Sequence, residues 1–168
     1  MEAQQVFARL EEQFPGRVHD FKGDVAEPYF SADAASIVDI CQFLRDTEGL
    51  NFEVLSDLTA VDWPKEEKIQ VVYHLYSYVH KHQAVLKVDL PRANPKLRTV
   101  EGVWKVANWF EREIYDLFGV IFDGHSDLRR IMLPDDWVGY PLRKDYVEQE
   151  EYDGMSTQRA PLVEKLLR

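Results

Sequence analysis

Between Phe52 and Leu90 most apolar residues recur at every second position, and this constrains the fold more than any other feature of the chain. Ile69, Val71, Tyr73 and Leu75 alternate with Gln70, Val72, His74 and Tyr76, and Ala84–Leu90 alternates again before ending at Pro91. A period of two puts one set of side chains on a single sheet face. Phe52–Trp63 reads as a third strand, with polar turns at Pro64–Lys68 and around His80. Three strands joined by short turns form an antiparallel meander.

Helical spacing brackets this meander. Val6, Phe7, Leu10 and Phe14 share one face of a segment that Pro15-Gly16 ends. Short extended pieces follow at Arg17–Lys22 and Pro28–Phe30. Ile37, Ile40, Cys41 and Leu44 predict a helix over Ser31–Thr47, with Ser31 or Asp33 as N-cap and Gly49 as its stop. Arg92–Arg98 reads as a loop. A last helix is expected over Thr99–Phe118, broken near Gly102 and ended by Gly119, with a strand at Val120–Phe122. The fold class is therefore α+β: a mostly antiparallel sheet with helices packed on one face, followed by an extended C-terminal tail. Residues 1–138 form the globular domain. Residues 139–168, where periodicity is lost and Glu148, Glu150, Glu151 and Asp153 accumulate, form the tail.

Composition excludes several classes of function. A net charge of −10 opposes binding to a phosphate backbone or to an anionic leaflet. No apolar run approaches the roughly 20 residues that cross a bilayer. Cys41 is the only cysteine, so an iron–sulfur cluster, which takes four protein ligands, has no place in this chain. His74, His80 and His82 lack a cysteine or a spaced carboxylate to complete a zinc site. Gly119–Gly124 has neither GxGxxG spacing nor a P-loop lysine, and no serine sits in a nucleophile elbow.

Glu111–Asp145 carries the recognition chemistry. Its sequence, EREIYDLFGVIFDGHSDLRRIMLPDDWVGYPLRKD, sets charges and aromatics among glycines and prolines. Aromatic and arginine side chains anchor interfaces, and Gly and Pro fix the backbone path between them. Three ordered blocks, from Glu111 to Gly119, from Gly124 to Ile131 and from Pro141 to Asp145, resemble the signature of the 30 kDa (C) subunit family of NADH:quinone oxidoreductase, respiratory complex I. Leu133–Trp137 fits as well, as do Leu55–Thr59 and Asp62, and the likeness spans roughly residues 29 to 146. Two positions depart from the family pattern. Ser126 and Val147 stand where proline is usual, and Ser126 leaves the turn after His125 less rigid.

On a helix whose apolar stripe is Val103, Ala107, Phe110, Ile114 and Leu117, Glu111 and Glu113 fall on opposite boundaries and Arg112 points away. The two carboxylates cannot face each other as a catalytic pair. A boundary carboxylate needs a donor, and Arg129, Arg130, Arg143 and Lys144 are candidates. Spacing alone also allows solvated charges or local pairing, such as Arg112 with Asp116. His125, between Asp123 and Asp127, reads as a hydrogen-bonded or interface histidine.

The resemblance implies a charge-paired partner interface built from Glu111, Glu113, Asp116, His125, Asp127, Arg129, Arg130, Asp135, Asp136, Arg143, Lys144 and Asp145, with Trp137 and Tyr140 as aromatic anchors. It implies no catalytic, cofactor or metal residue here. FMN, iron–sulfur clusters and quinone would belong to partner subunits. The D (49 kDa-type) subunit would be the neighbour that the tail wraps, at the cytoplasmic side of a bacterial plasma membrane reached only through partners. The equivalent subunit of a related membrane-bound hydrogenase or other quinone-reducing dehydrogenase is the first alternative. A free-standing acid–base enzyme is the second.

Overall fold

The computed structural model describes residues 1–157, and the end of the expected tail, 158–168, lies outside the described residues. The alternating segments form β3 (Val54–Trp63), β4 (Lys68–Ser77) and β5 (His82–Pro91), preceded by β1 (Val18–Lys22) and β2 (Tyr29–Ala32). These make one sheet of order β1-β2-β5-β4-β3. The expected meander is present: β3 pairs antiparallel with β4, with Leu58 opposite Tyr73, and β4 with β5, with Tyr73 opposite Leu86. β2 joins β5 in parallel, so the sheet is mixed at that one contact.

Period-two patterning decides which face is covered. Leu58, Ile69, Val71, Tyr73, Leu75, Leu86 and Val88 lie in one buried cluster with the inward residues of α1 (Ala3–Gln13), α2 (Ile37–Asp46) and α3 (Ala107–Phe118). Those inward residues are Val6 and Leu10, then Ile37, Ile40 and Leu44, then Ala107 and Ile114. Helices therefore cover one sheet face, as the sequence predicts. Burying each large aliphatic side chain contributes about 1.5–3 kcal/mol. Cys41 lies in the same cluster, where burial, aided by the Glu111 charge, pushes its thiol far above the usual range. It packs as a small apolar residue.

Element boundaries differ in instructive ways. Ser31 and Ala32 extend β2, so α2 starts only after a 3₁₀ turn at Ala34–Ser36. Phe52 precedes β3 but is fully buried, and its carbonyl accepts the Trp104 indole N–H at 3.0 Å. Lys96–Arg98 is not loop: it forms β6, parallel to β7 (Ile121–Asp123), with Leu97 opposite Phe122. Three residues are too few for alternation to register. The last helix starts at Ala107 rather than Thr99, because the Val100 carbonyl accepts Val103 N–H and Trp104 N–H in a tight turn. In the tail, an Asp153-Gly154 turn with both φ positive joins β8 (Glu151–Tyr152) to β9 (Met155–Ser156). Two-residue strands carry no periodicity, so this minimal hairpin has no counterpart among the expected elements.

Candidate functional site

The Glu111–Asp145 segment is organised around buried carboxylates, and Asp116 on α3 is the central one. Arg130 Nη1 donates to its Oδ1 at 2.7 Å, while the backbone N–H groups of Ile131, Met132 and Leu133 donate to Oδ2 at 3.0, 2.7 and 2.9 Å. Burial alone would raise this carboxyl, but the Arg130 pair and the three N–H donors outweigh it and hold Asp116 below its ordinary range. Arg130 also donates to the carbonyls of Trp137 and Gly139. One carboxylate thereby fixes the chain path from Arg130 to Gly139.

The Pro141–Asp145 block is pinned next. Leu142 N–H donates to the Leu117 carbonyl at 3.1 Å, and Arg143 Nε to the Phe118 carbonyl at 2.7 Å. The Tyr140 ring lies under Arg130 and Arg143, with centroid distances of 5.6 and 5.0 Å, and packs where a Cβ on Gly119 would be, 2.5 Å from Tyr140 Cε2. Gly119, at φ +74°, ends α3 in a left-handed conformation, so both backbone and space require glycine there.

Asp62, at the end of β3, holds the segment's far end. Arg92 donates bidentately to it (2.7 and 2.9 Å) and also reaches Asp145 (3.0 and 2.5 Å), while Lys144 N–H donates to Asp62 Oδ2 at 2.8 Å. Arg92 chiefly, with Lys144 N–H, draws Asp62 below its usual value against the cost of burial. Arg92 opens a stretch that reads as loop from the sequence, and nothing beside it marks a partner 30 positions away.

Glu111 and Arg112 do not behave as expected. Glu111 is fully buried rather than at a boundary, and its donors are uncharged: Thr99 Oγ1 at 2.5 Å and Val100 N–H at 2.8 Å. Desolvation pushes its carboxyl up to about 7, against those two hydrogen bonds and with help from the Glu101 charge. Arg112, expected to face water, is buried. Its Nε donates to the Arg129 carbonyl at 3.2 Å, it lies 5.2 Å from the Trp109 ring, and Asp116 is taken by Arg130 instead. The chain from His125 to Arg130 covers a helix face that periodicity assigns to solvent.

The His125 side chain is buried. Nδ1 accepts the Asp127 N–H at 2.9 Å, so Nε2 is the donor, to the Asn108 carbonyl at 3.1 Å, with Glu101 and Glu111 carboxylate oxygens 3.7 and 3.9 Å away. Ser126 does not loosen this turn. Its N–H and hydroxyl both donate to Glu101, a tie that proline could not make through nitrogen. Of the other predicted residues, Glu113, Asp135, Asp136 and Lys144 are exposed, as are Asp127 and Arg129, which pair at 3.0 Å. Trp137 is half-buried against Tyr152, whose hydroxyl donates to Asp136 at 2.9 Å. No group of three or more His, Cys, Asp or Glu placed to hold a metal occurs among the described residues, nor a helix long and apolar enough to cross a membrane.

This geometry coincides with the region that known relatives share. The family model for the respiratory-chain NADH dehydrogenase, 30 Kd subunit, matches residues 30–152. The chain belongs to this family. The C subunit of the NADH-quinone oxidoreductase of Geobacter metallireducens is 43% identical over 159 residues, covering 91% of this chain and 97% of the relative. Among solved structures, a chain of the membrane-bound sulfane sulfur reductase, an archaeal respiratory membrane complex, matches with a TM-score of 0.73 at 29% identity, covering 86% of this chain and 85% of that one. The trypsin-resistant fragment of Nqo5 matches with a TM-score of 0.59 at 26% identity, covering 76% of this chain and all (100%) of the fragment.

Two outcomes test this site. Gly119→Ala should cost roughly 1–3 kcal/mol in urea unfolding, through its positive φ and the Tyr140 contact; an unchanged midpoint contradicts the packing described. Glu111, raised from its ordinary 4.5 to about 7, keeps its proton in the folded chain after the unfolded chain has lost it. Stability from this group therefore falls as pH rises from 4.5 to 7, by up to about 3 kcal/mol. His82, lowered from 6.5 chiefly by desolvation, acts in the opposite direction below that pH, so wild type must be compared with Glu111→Gln. The difference between the two should change across this window, and a constant offset refutes the burial argument.

Proposed function

We propose that this chain is a structural subunit of a proton-pumping NADH:quinone oxidoreductase, complex I, in which partner subunits pass electrons from NADH through FMN and iron–sulfur clusters to quinone. In this reading it binds no cofactor and catalyses nothing alone. It sits in the hydrophilic arm on the cytoplasmic side of a bacterial plasma membrane and packs against the D (49 kDa-type) subunit. Residues 1–138 are the body, to which the Pro141–Asp145 block is pinned, and the rest of 139–168 is the tail that wraps the neighbour.

The observation that carries this reading is the contrast within the Glu111–Asp145 segment, in a chain 43% identical over nearly its whole length to the Geobacter metallireducens relative. Its buried charges and much of its backbone are tied within the chain by Asp116, Asp62 and Arg92. Its outer surface carries Met132, Val138 and Leu142, which are exposed, followed by Val147 and Met155. Among the described residues, Trp137 Nε1, Tyr146 OH and Gln149 Nε2 are buried without a hydrogen-bond partner. A segment held rigidly from within and left apolar outside suits a docking surface for a large protein. Glu113, Asp127, Arg129, Asp135, Asp136 and Lys144 supply its polar rim. Asp116, Arg130, Arg143 and Asp145 serve the interface by shaping this surface, with Tyr140 packed against the two arginines and Trp137 against Tyr152.

The archaeal sulfane sulfur reductase chain favours a second reading, in which the same scaffold serves a related respiratory complex with another electron acceptor. Native purification of the chain from its host, with mass spectrometry of what accompanies it, separates the two. A D-type subunit with cluster- and flavin-bearing NADH-oxidising subunits is expected, whereas a nickel-site or sulfur-reducing partner supports the alternative. Leu142→Asp, at an exposed position, should reduce co-isolation about tenfold or more with the unfolding midpoint unchanged. Normal assembly of that variant counts against the docking surface, and turnover of a substrate by the lone chain overturns the structural role.

A further inference from the structure

The two edges of the five-stranded sheet are built differently. β1, at one edge, is five residues long, breaks register between His19 and Lys22, and holds Asp20 at φ 53°. Shortness, irregularity and lysine blunt a strand edge against unwanted pairing. β3, at the other edge, is ten residues long. Its one register shift lies between Leu55 and Asp57, and from Asp57 to Trp63 the pairing with β4 is unbroken. That run, DLTAVDW, contains no Lys, Arg, Pro or Gly. Among the described residues β3 has a single strand neighbour, so one row of its N–H and C=O groups faces away from the sheet.

The side chains along this run mark the same place. Leu58, Ala60 and Asp62 point into the covered face, while Asp57, Thr59, Val61 and Trp63 are exposed on the face that no helix among the described residues covers. Val61 is 36% and Trp63 43% exposed, although on the neighbouring strands of that same face Val72 and Val85 are buried. Asp57 has no ion pair among the described residues. At its far end the run reaches Asp62, which accepts Lys144 N–H, so the open edge is continuous with the anchored segment that ends at Asp145.

We infer that β3 accepts an extended segment of a different polypeptide as a sixth strand along Asp57–Trp63. Backbone pairing supplies affinity and alternate side chains supply the fit. The incoming strand would set apolar or aromatic residues beside Val61 and Trp63, and a basic or hydroxyl residue beside Asp57. A second copy of this chain is the disfavoured occupant, since each copy carries a net charge of −10 and self-association brings like charges together.

Residue-resolved hydrogen–deuterium exchange on the full chain, free and within the natively purified assembly, tests this. Alternate amides between Asp57 and Trp63, those facing outward, should exchange fast in the free chain and about tenfold or more slowly in the assembly. A photo-crosslinker at Thr59 should join the chain to a different subunit. The inference rests on the assembly reading above, yet the two fail separately. A chain missing from any assembly overturns both, whereas an assembled chain whose outward amides stay fast overturns the strand addition alone. Protection of those amides in a free homodimer assigns the edge to a second copy and overturns the partner proposed here.

Discussion

The Asp116 carboxylate collects an arginine and three successive backbone N–H groups at one buried point, and the Arg130–Asp145 segment takes its shape from that arrangement. The N–H groups of Ile131, Met132 and Leu133 lie in a stretch without regular secondary structure, where they need an acceptor. A carboxylate accepting several N–H donors and one guanidinium stays ionised although buried. Arg130 then extends the order outward to Trp137 and Gly139, and Asp62 with Arg92 repeats the device at the other end of the segment. The stretch from Arg130 to Asp145, without a strand or helix of its own, is held like a secondary-structure element.

This arrangement suits the docking role proposed for the segment. Side chains engaged inward fix the backbone, which leaves the outward side chains in preset positions and lowers the ordering cost on association. The same logic gives Gly119 its place. A left-handed helix end lets the chain turn back under Tyr140, and the missing Cβ lets that ring pack close to the helix end, near two guanidinium groups. Glu111 is the exception in this network. It is as buried as Asp116 but has no Lys or Arg partner among the described residues, and its protonation is therefore sensitive near neutral pH.

The meander and the helix-covered face were legible because alternation and helical spacing are local properties that packing reinforces. Ile69, Val71, Tyr73 and Leu75 announce their shared face without any knowledge of what lies against it. Elements defined by distant partners were not legible. β6 is a strand only because β7 lies beside it, and Arg112 is buried only because the His125 loop folds over it. The motif marked Asp116, Arg130 and Arg143 as partner-facing, whereas in the structure their bonds run within the chain. Charge in a sequence does not say whether its partner lies inside or outside. Arg92 carried no signal.

Asp116 orders the Arg130–Asp145 segment within the chain itself, without help from any neighbour, and the proposed docking surface depends on that order. Hydrogen–deuterium exchange of the segment in the isolated chain tests this directly, with wild type compared with Asp116→Asn at neutral pH. Protected Ile131, Met132 and Leu133 amides in the wild type, lost in the variant while the β4 amides stay protected, is the predicted result. Unprotected amides at those three positions in the wild type contradict it.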